Sequence, residues 1–317
     1  MYPYETANML YMKKIATFLL MAAASSAFAL EFLVAQPGEQ PPKEGFKTST
    51  CTWGRNLHYK TDYYKTKPSS ADSVVFRHGQ VVEIDQNVYW RNMSTNVSKL
   101  IFSKGHNIKL RYGIAMETHT SKMQFEKCNM ELGENLRFNY WEKSAWGGIA
   151  TFELVDTKFN ALGGIICIVP VHPEVKFNDI CGPLIVFKGN TQAHFGTGMV
   201  VDEIFTENPQ MWQFKMRFVL TAEGAPKVVF DGEFKAKSIH FDIVNENASL
   251  KPGVYPLMTL NDKDSSFVNP TFTLNGKPYS LGSSFTVGGK NAKVVMGASP
   301  LGRDSKTEND ILLIISK

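Results

Sequence analysis

Residues 72–85 read DSVVFRHGQVVEID. Two short apolar runs, Ser73–Phe76 and Val81–Ile84, stand on either side of a turn at Gly79. Both are rich in β-branched residues, and such runs bounded by glycine read as strands. The same texture continues along the chain at 99–102, 108–110, 123–125, 136–138, 149–154, 165–169, 175–177 and 184–187. Gly105, Asn107, Gly133 and Gly189 fall between these runs. Helical i, i+3, i+4 spacing is nearly absent, so the pattern predicts an all-β protein.

The runs are too short for sandwich strands and too irregular for a series of hairpins. A weak internal echo links FEKCNM (125–130), FELVDTKFN (152–160) and VKFNDIC (175–181) at solenoid-like spacing. Short strands that bury their apolar side chains only by stacking on neighbouring coils would account for this. Beyond residue 210 the runs lengthen, at 212–220, 234–244, 272–274 and 279–287, and Asn275-Gly276 carries the type I′ hairpin signature. Two further strands are expected in NAKVVMG (291–297) and NDILLIIS (309–316). The expected division is signal segment 1–29, leader and N-terminal cap 30–70, coils 71–210, and a C-terminal β region 211–317 that covers the open end.

The 72–85 run, the coil-like repeats and the terminal FTVGG…NDILLIIS resemble bacterial secreted β-helix proteins, the pectin-lyase-like and autotransporter-passenger-like solenoids. The resemblance covers about residues 70–317 and rests on texture. It implies a right-handed parallel β-helix with a C-terminal antiparallel cap; a β-sandwich is the alternative fold. Members range from polysaccharide lyases and hydrolases to adhesins. The chain stops at Lys317 with no membrane barrel following, a departure from a complete autotransporter.

Residues 12–29, MKKIATFLLMAAASSAFA, predict export. Lys13 and Lys14 form a positive n-region, Ile15–Ala24 an apolar core, and Ala27-Phe28-Ala29 a small-x-small cleavage site, so the mature chain is expected to begin at Leu30 in a secreted location. The eleven residues before Met12 carry Glu5 and no Lys or Arg, which points to Met12 as the true start. Losing Lys13, Lys14 and Glu5 takes the formal charge from +4 to +3. The remaining charges are scattered, which argues against a nucleic-acid partner. No second apolar run of membrane-spanning length follows, so no membrane span is expected in the mature chain.

Cys51, Cys128, Cys167 and Cys181 remain after cleavage. An oxidising compartment favours disulfides. Cys167 and Cys181, fourteen residues apart, are the expected pair, which leaves Cys51 with Cys128 by elimination. Buried free thiols are the alternative.

Catalytic signatures are sparse. The paired aspartates of pectin-type hydrolases and the calcium carboxylates of pectate lyases do not occur, and Gly105-His106-Asn107 with Lys109 and Arg111 is only an echo. Asp202-Glu203 would point to opposite faces of a strand. Histidine spacing suggests no metal site. Gly196-Thr197-Gly198 lacks the third glycine of a dinucleotide loop, and no cofactor is implied. The stretch with binding character is 139–146, NYWEKSAW, where Tyr140, Trp141 and Trp146 could form a stacking platform for a sugar or instead cover the core. The expected function is a non-enzymatic extracellular or surface-associated protein with an adhesive or matrix role, its partner a glycan or cell-surface polymer. The alternative is a polysaccharide-binding or polysaccharide-degrading protein. Several carboxylates in one groove, or an Arg or Lys beside a carboxylate, would favour the enzyme.

Overall fold

The structure, a computed structural model, describes residues 31–34, 46–51, 53–57, 60–64, 67–76, 81–95, 100–116, 121–139, 149–168, 182–201, 213–236, 239–267, 269–298 and 309–317. These contain strands and no helix. The N-terminal pieces are β1 (Glu31–Val34), β2 (Phe46–Lys47), β3 (Trp53–Leu57) and β4 (Lys60–Tyr64). Seven three-strand circuits follow. The first is β5 (Ser73–Phe76), β6 (Val81–Ile84), β7 (Val88–Trp90); the second is β8 (Asn92–Thr95), β9 (Leu100–Lys104), β10 (Asn107–Leu110). The third is β11 (Ile114–Met116), β12 (Lys122–Glu126), β13 (Asn129–Leu132); the fourth is β14 (Leu136–Asn139), β15 (Ile149–Val155), β16 (Lys158–Ala161). The fifth is β17 (Ile165–Ile168), β18 (Gly182–Lys188), β19 (Gln192–Phe195); the sixth is β20 (Met199–Val201), β21 (Phe214–Leu220), β22 (Lys227–Phe230); the seventh is β23 (Phe234–Ala236), β24 (Ile239–Asn245), β25 (Gly253–Leu260). The chain ends in β26 (Ser266–Phe267), β27 (Thr271–Leu274), β28 (Lys277–Pro278), β29 (Ser284–Val287), β30 (Lys290–Gly297) and β31 (Asp310–Ile315).

Every third strand joins the same sheet, so the molecule has three long, mainly parallel faces. Face A carries the first strand of each circuit, face B the second and face C the third. The runs are short because each crosses one face before the chain turns to the next. Alternation points every second side chain inward, where like positions stack. On face B one inward column runs Val82, Ile101, Met123, Phe152, Ile185, Met216, Phe241, Phe272, all buried. On face C it runs Trp90, Leu110, Leu132, Ala161, Phe195, Phe230, Leu260.

Two corners are short. From B to C the chain turns through a left-handed residue: Gly105 (φ 72°), Lys127 (φ 53°), Asp156 (φ 46°) and Gly189 (φ 64°). Inside this corner, the Thr157 hydroxyl lies 3.0 Å from the Phe125 carbonyl and accepts the Cys128 amide at 3.3 Å, and Thr191 repeats the arrangement one circuit on. From C to A the turns are glycine-rich, because successive circuits pass too close for a side chain. A Cβ on Gly164 would meet the Gly198 carbonyl oxygen at 1.8 Å, and one on Gly198 would meet that of Glu233 at 1.6 Å. The Gly196-Thr197-Gly198 spacing thus serves a corner.

The step between partners on face A grows from 19 residues (Val74 to Met93) through 22 (Ile114 to Leu136) and 29 (Leu136 to Ile165) to 35 (Met199 to Phe234). About half of this growth falls in the A-to-B connections, 96–99, 117–121, 140–148, 169–181 and 202–213, and the rest in longer face B strands and corners.

Several expectations need correction. A sandwich does not form, since the pairing within the three faces is predominantly parallel. Parallel stacking also passes the boundary expected at 210 and continues to β27. The antiparallel cap is smaller: β31 pairs with β25 and β30, β30 with β29, and β27 with β28 through Asn275 (φ 51°) and Gly276 (φ 75°). The run 234–244 is two strands on two faces, β23 and β24. Phe46 and Lys47, placed in the leader, form β2 beside β6. Of the internal echo, 125–130 and 152–160 both lie at the B-to-C corner, but Phe125 pairs with Leu154 and not with Phe152. The third segment, 175–181, lies outside the described residues.

Among the described residues no disulfide forms, and Cys51 and Cys128 carry free thiols. Their expected pairing fails on distance. Cys51 is tied to β2 through the Lys47 carbonyl, whereas Cys128 follows β12, three strand spacings along face B. That is on the order of 14 Å, while a disulfide tolerates about 7 Å between Cα atoms. Cys128 instead sits 3.5 Å from Ser103 Oγ inside the corner. Burial pushes the Cys51 thiol up to about 12, which keeps it protonated. Cys167 faces the interior of face A, and Cys181 lies outside the described residues.

Candidate functional site

The outer side of face B concentrates charge. Its strands contribute Lys47, Lys104, Lys122, Lys188, Lys215, Arg217 and, on the capping strand β28, Lys277 as cations, and Glu83, Glu126, Glu153 and Asp242 as acids. Charges on adjacent circuits are matched: Lys47 with Glu83 (3.8 Å), Lys104 with Glu126 (3.3 Å), Lys122 with Glu153 (2.7 Å) and Arg217 with Asp242 (2.7 Å). Lys188 reaches Glu246, just past β24. Among the described residues Lys215 has no such carboxylate.

Lys215 belongs to a polar cluster at β21, β24 and β27. These strands read FKMRF, IHFDI and TFTL, so that Lys215, Arg217, His240, Asp242, Thr271 and Thr273 alternate with buried residues and point outward. Parallel register aligns them in two columns: Leu184, Lys215, His240, Thr271 and Val186, Arg217, Asp242, Thr273.

A hydrogen-bond chain runs through the cluster. Arg217 Nε donates to Asp242 Oδ2, and the Thr273 hydroxyl donates to Asp242 Oδ1 at 2.6 Å. Having spent its proton, Thr273 Oγ1 can only accept from His240 Nε2 at 3.1 Å. His240 Nδ1 lies 2.8 Å from Thr271 Oγ1. Burial, and then the nearby Lys215, lower the pKa of His240. The neutral ring therefore carries its proton on Nε2 and accepts the Thr271 proton at Nδ1. Burial, and then Arg217, also lower the pKa of Lys215. The Asp242 side chain is only 8% exposed, and both its oxygens are engaged.

A second cluster lies where face C turns to face A. His194 Nδ1 is 2.9 Å from Asn160 Oδ1 and its Nε2 is 2.7 Å from Asp231 Oδ2, while Asn261 Nδ2 donates to Asp231 Oδ1 at 2.7 Å. It links four circuits and is more exposed. Among the described residues, no group of three or more His, Cys, Asp or Glu side chains is arranged to hold a metal ion.

The sequence-predicted binding residues Tyr140, Trp141 and Trp146 fall in the connection from β14 to β15, outside the described residues, as does Asp202-Glu203. Gly105 is a corner residue, Asn107 donates its amide to Asn87 Oδ1, and Lys109 pairs with Glu131 at 2.9 Å, so these three members of the 105–111 echo make corner and surface contacts. Sequence reasoning missed both clusters. The available signal was the outward polar set of each alternating strand, but its partners lie 25 and 31 residues away.

Comparison with protein-family models, with curated proteins and with solved structures returns no match. Among the described residues no helix is long and apolar enough to cross a membrane.

Proposed function

We propose that the chain is a right-handed parallel β-helix, exported through its N-terminal signal, that works outside the cell as a non-enzymatic adhesive or matrix protein for a glycan or other surface polymer. The observation that carries this reading is the outer side of face B: a long surface along which matched charges recur from circuit to circuit, interrupted at Leu184 and Val186, as a surface for an extended ligand would offer. The aromatic-rich connection 140–148 joins face A to this same face in the fourth circuit.

Polysaccharide degradation is the second reading, favoured by Arg217 beside Asp242. Against it, Asp242 is nearly buried and has both oxygens committed, so it offers no base to a substrate. His240 Nδ1 is likewise occupied by Thr271.

A glycan array probed with the exported protein tests the choice. Binding without turnover is expected, with Trp141→Ala weakening it several-fold. Release of unsaturated sugars or new reducing ends from acidic polysaccharides, lost on His240→Gln, would reverse the ranking.

A further inference from the structure

We infer that Lys215, the terminal amino groups of Arg217 and the Thr271 hydroxyl form a receptor for an oxyanion carried by a ligand, a carboxylate or sulfate group. The inference rests on the preceding reading only for the source of the ligand.

The first argument is comparative. Of the six lysines on the strands of face B, four pair with a glutamate of a neighbouring circuit or of the segment just past β24, and Lys277 lies exposed on the capping hairpin strand β28. Within the circuits Lys215 is the exception among the described residues, and it is a costly place for one, because it is partly buried and Arg217 stands two positions away on the same outward side. Outward neighbours on a strand lie about 7 Å apart. Two cations at that spacing, one of them half-buried, are stabilised by an anion between or above them.

The second argument concerns donors. Asp242 is shared between the two cations: it accepts from Arg217 Nε and Thr273, and its charge only partly offsets burial and Arg217 at Lys215. It holds Arg217 by Nε, which leaves the terminal nitrogens as the fork that suits a carboxylate or sulfate. Lys215 adds an ammonium one column away, beside His240.

The third argument supplies a pH dependence. The titratable and charged groups facing His240 are Lys215 and Arg217 from β21 and Asp242 from its own strand, with Thr271 and Thr273 from β27. While His240 is neutral, Thr271 spends its proton on Nδ1. Once the ring is protonated, Nδ1 donates to Thr271, and the threonine proton becomes available to a ligand. An oxyanion and a proton on His240 therefore favour each other.

The test uses the full exported protein with dextran, carboxymethyl-dextran and dextran sulfate, three polymers of one backbone, and with glucuronate and inorganic sulfate as small anions. Affinity is measured by calorimetry, and His240 is titrated by NMR with and without each probe. Both charged polymers are expected to bind and dextran not to. Lys215→Gln should weaken binding by about tenfold or more, the scale of one charge-assisted hydrogen bond. Lys104→Gln, an equal change of charge at a matched pair, should alter it less than about twofold. Dextran sulfate should bind more tightly as pH falls below the ordinary histidine value of about 6.5, and bound anion should move the His240 titration upward.

Equal losses in the two lysine variants, an unmoved His240 titration, or no binding of any anion would overturn the inference. Charged polymers held equally by both variants would overturn it while leaving the adhesive reading in place. Small anions held at Lys215 with no polymer bound would support it, identify a free anion as the source, and remove the adhesive reading. If Lys215→Gln does not fold, the wild-type His240 titration decides the matter alone.

Discussion

Gly198 and Gly105 both occupy corners, for different physical reasons. At Gly198 the next circuit passes so close that a Cβ would lie 1.6 Å from the Glu233 carbonyl oxygen. At Gly105 nothing lies within 4 Å, and glycine relieves only a left-handed φ of 72°. Gly198→Ala must push backbone apart and should cost about 3 kcal/mol or more, the upper range for overpacking. Gly105→Ala should cost about 1 kcal/mol, the strain of a single left-handed residue. Urea unfolding of the two variants checks the order. Equal losses would show that close approach of the circuits does not govern the C-to-A corner.

At the scale of an element, β2 is held on face B by few contacts, and one corner residue matters most. Asp85, which follows β6, accepts hydrogen bonds from the Ser49 amide at 2.9 Å, the Ser49 hydroxyl and the Thr48 hydroxyl. Burial works to raise the Asp85 carboxyl, but these bonds outweigh it and hold it below its ordinary value. A carboxyl depressed in the folded state contributes stability above its unfolded value of about 3.9, and that stability is lost as pH falls through the folded value. Acid should therefore release β2 and the 48–51 turn before the circuits unfold. Hydrogen exchange should show the Ser49 amide protected near neutral pH and opening only once pH falls below the ordinary carboxylate value. Asp85→Asn should open it already near neutral pH. A Ser49 amide whose protection follows global unfolding at every pH would refute this anchoring.

Across the whole molecule, stability is shared between neighbours. Phe195 stacks on Phe230 at 4.7 Å with rings 6° apart and tilts against Phe159 at 5.2 Å, so it couples three circuits. Phe195→Ala should cost about 3–5 kcal/mol. Because each circuit buries its core only against the next, the loss should lower the unfolding midpoint of the entire stack with its cooperativity kept. Loss of circuits on one side of Phe195 alone, seen as a second transition, would mean that the stack is built of independent blocks.

The alternation of apolar and polar residues determined the strands, because a strand's inward and outward sides depend only on positions two apart. Ser73–Phe76 and Val81–Ile84 appear with the bounds read from 72–85, and Asn275-Gly276 forms its hairpin, since both signals are contained within a few residues. The run 234–244 reads as one strand because a turn between faces leaves little mark when apolar residues continue on both sides. Tertiary structure alone decided which strands meet. The A-to-B connections differ in length from circuit to circuit, so no fixed period aligns Arg217 with Asp242, 25 residues on, or Asp242 with Thr273, 31 residues on. For the same reason sequence spacing cannot tell that Cys51 and Cys128 lie three strand spacings apart, a distance set by stacking. Side-chain direction is a local property of the chain, whereas register is set by how successive circuits pack, and the polar cluster on face B exists only through that register.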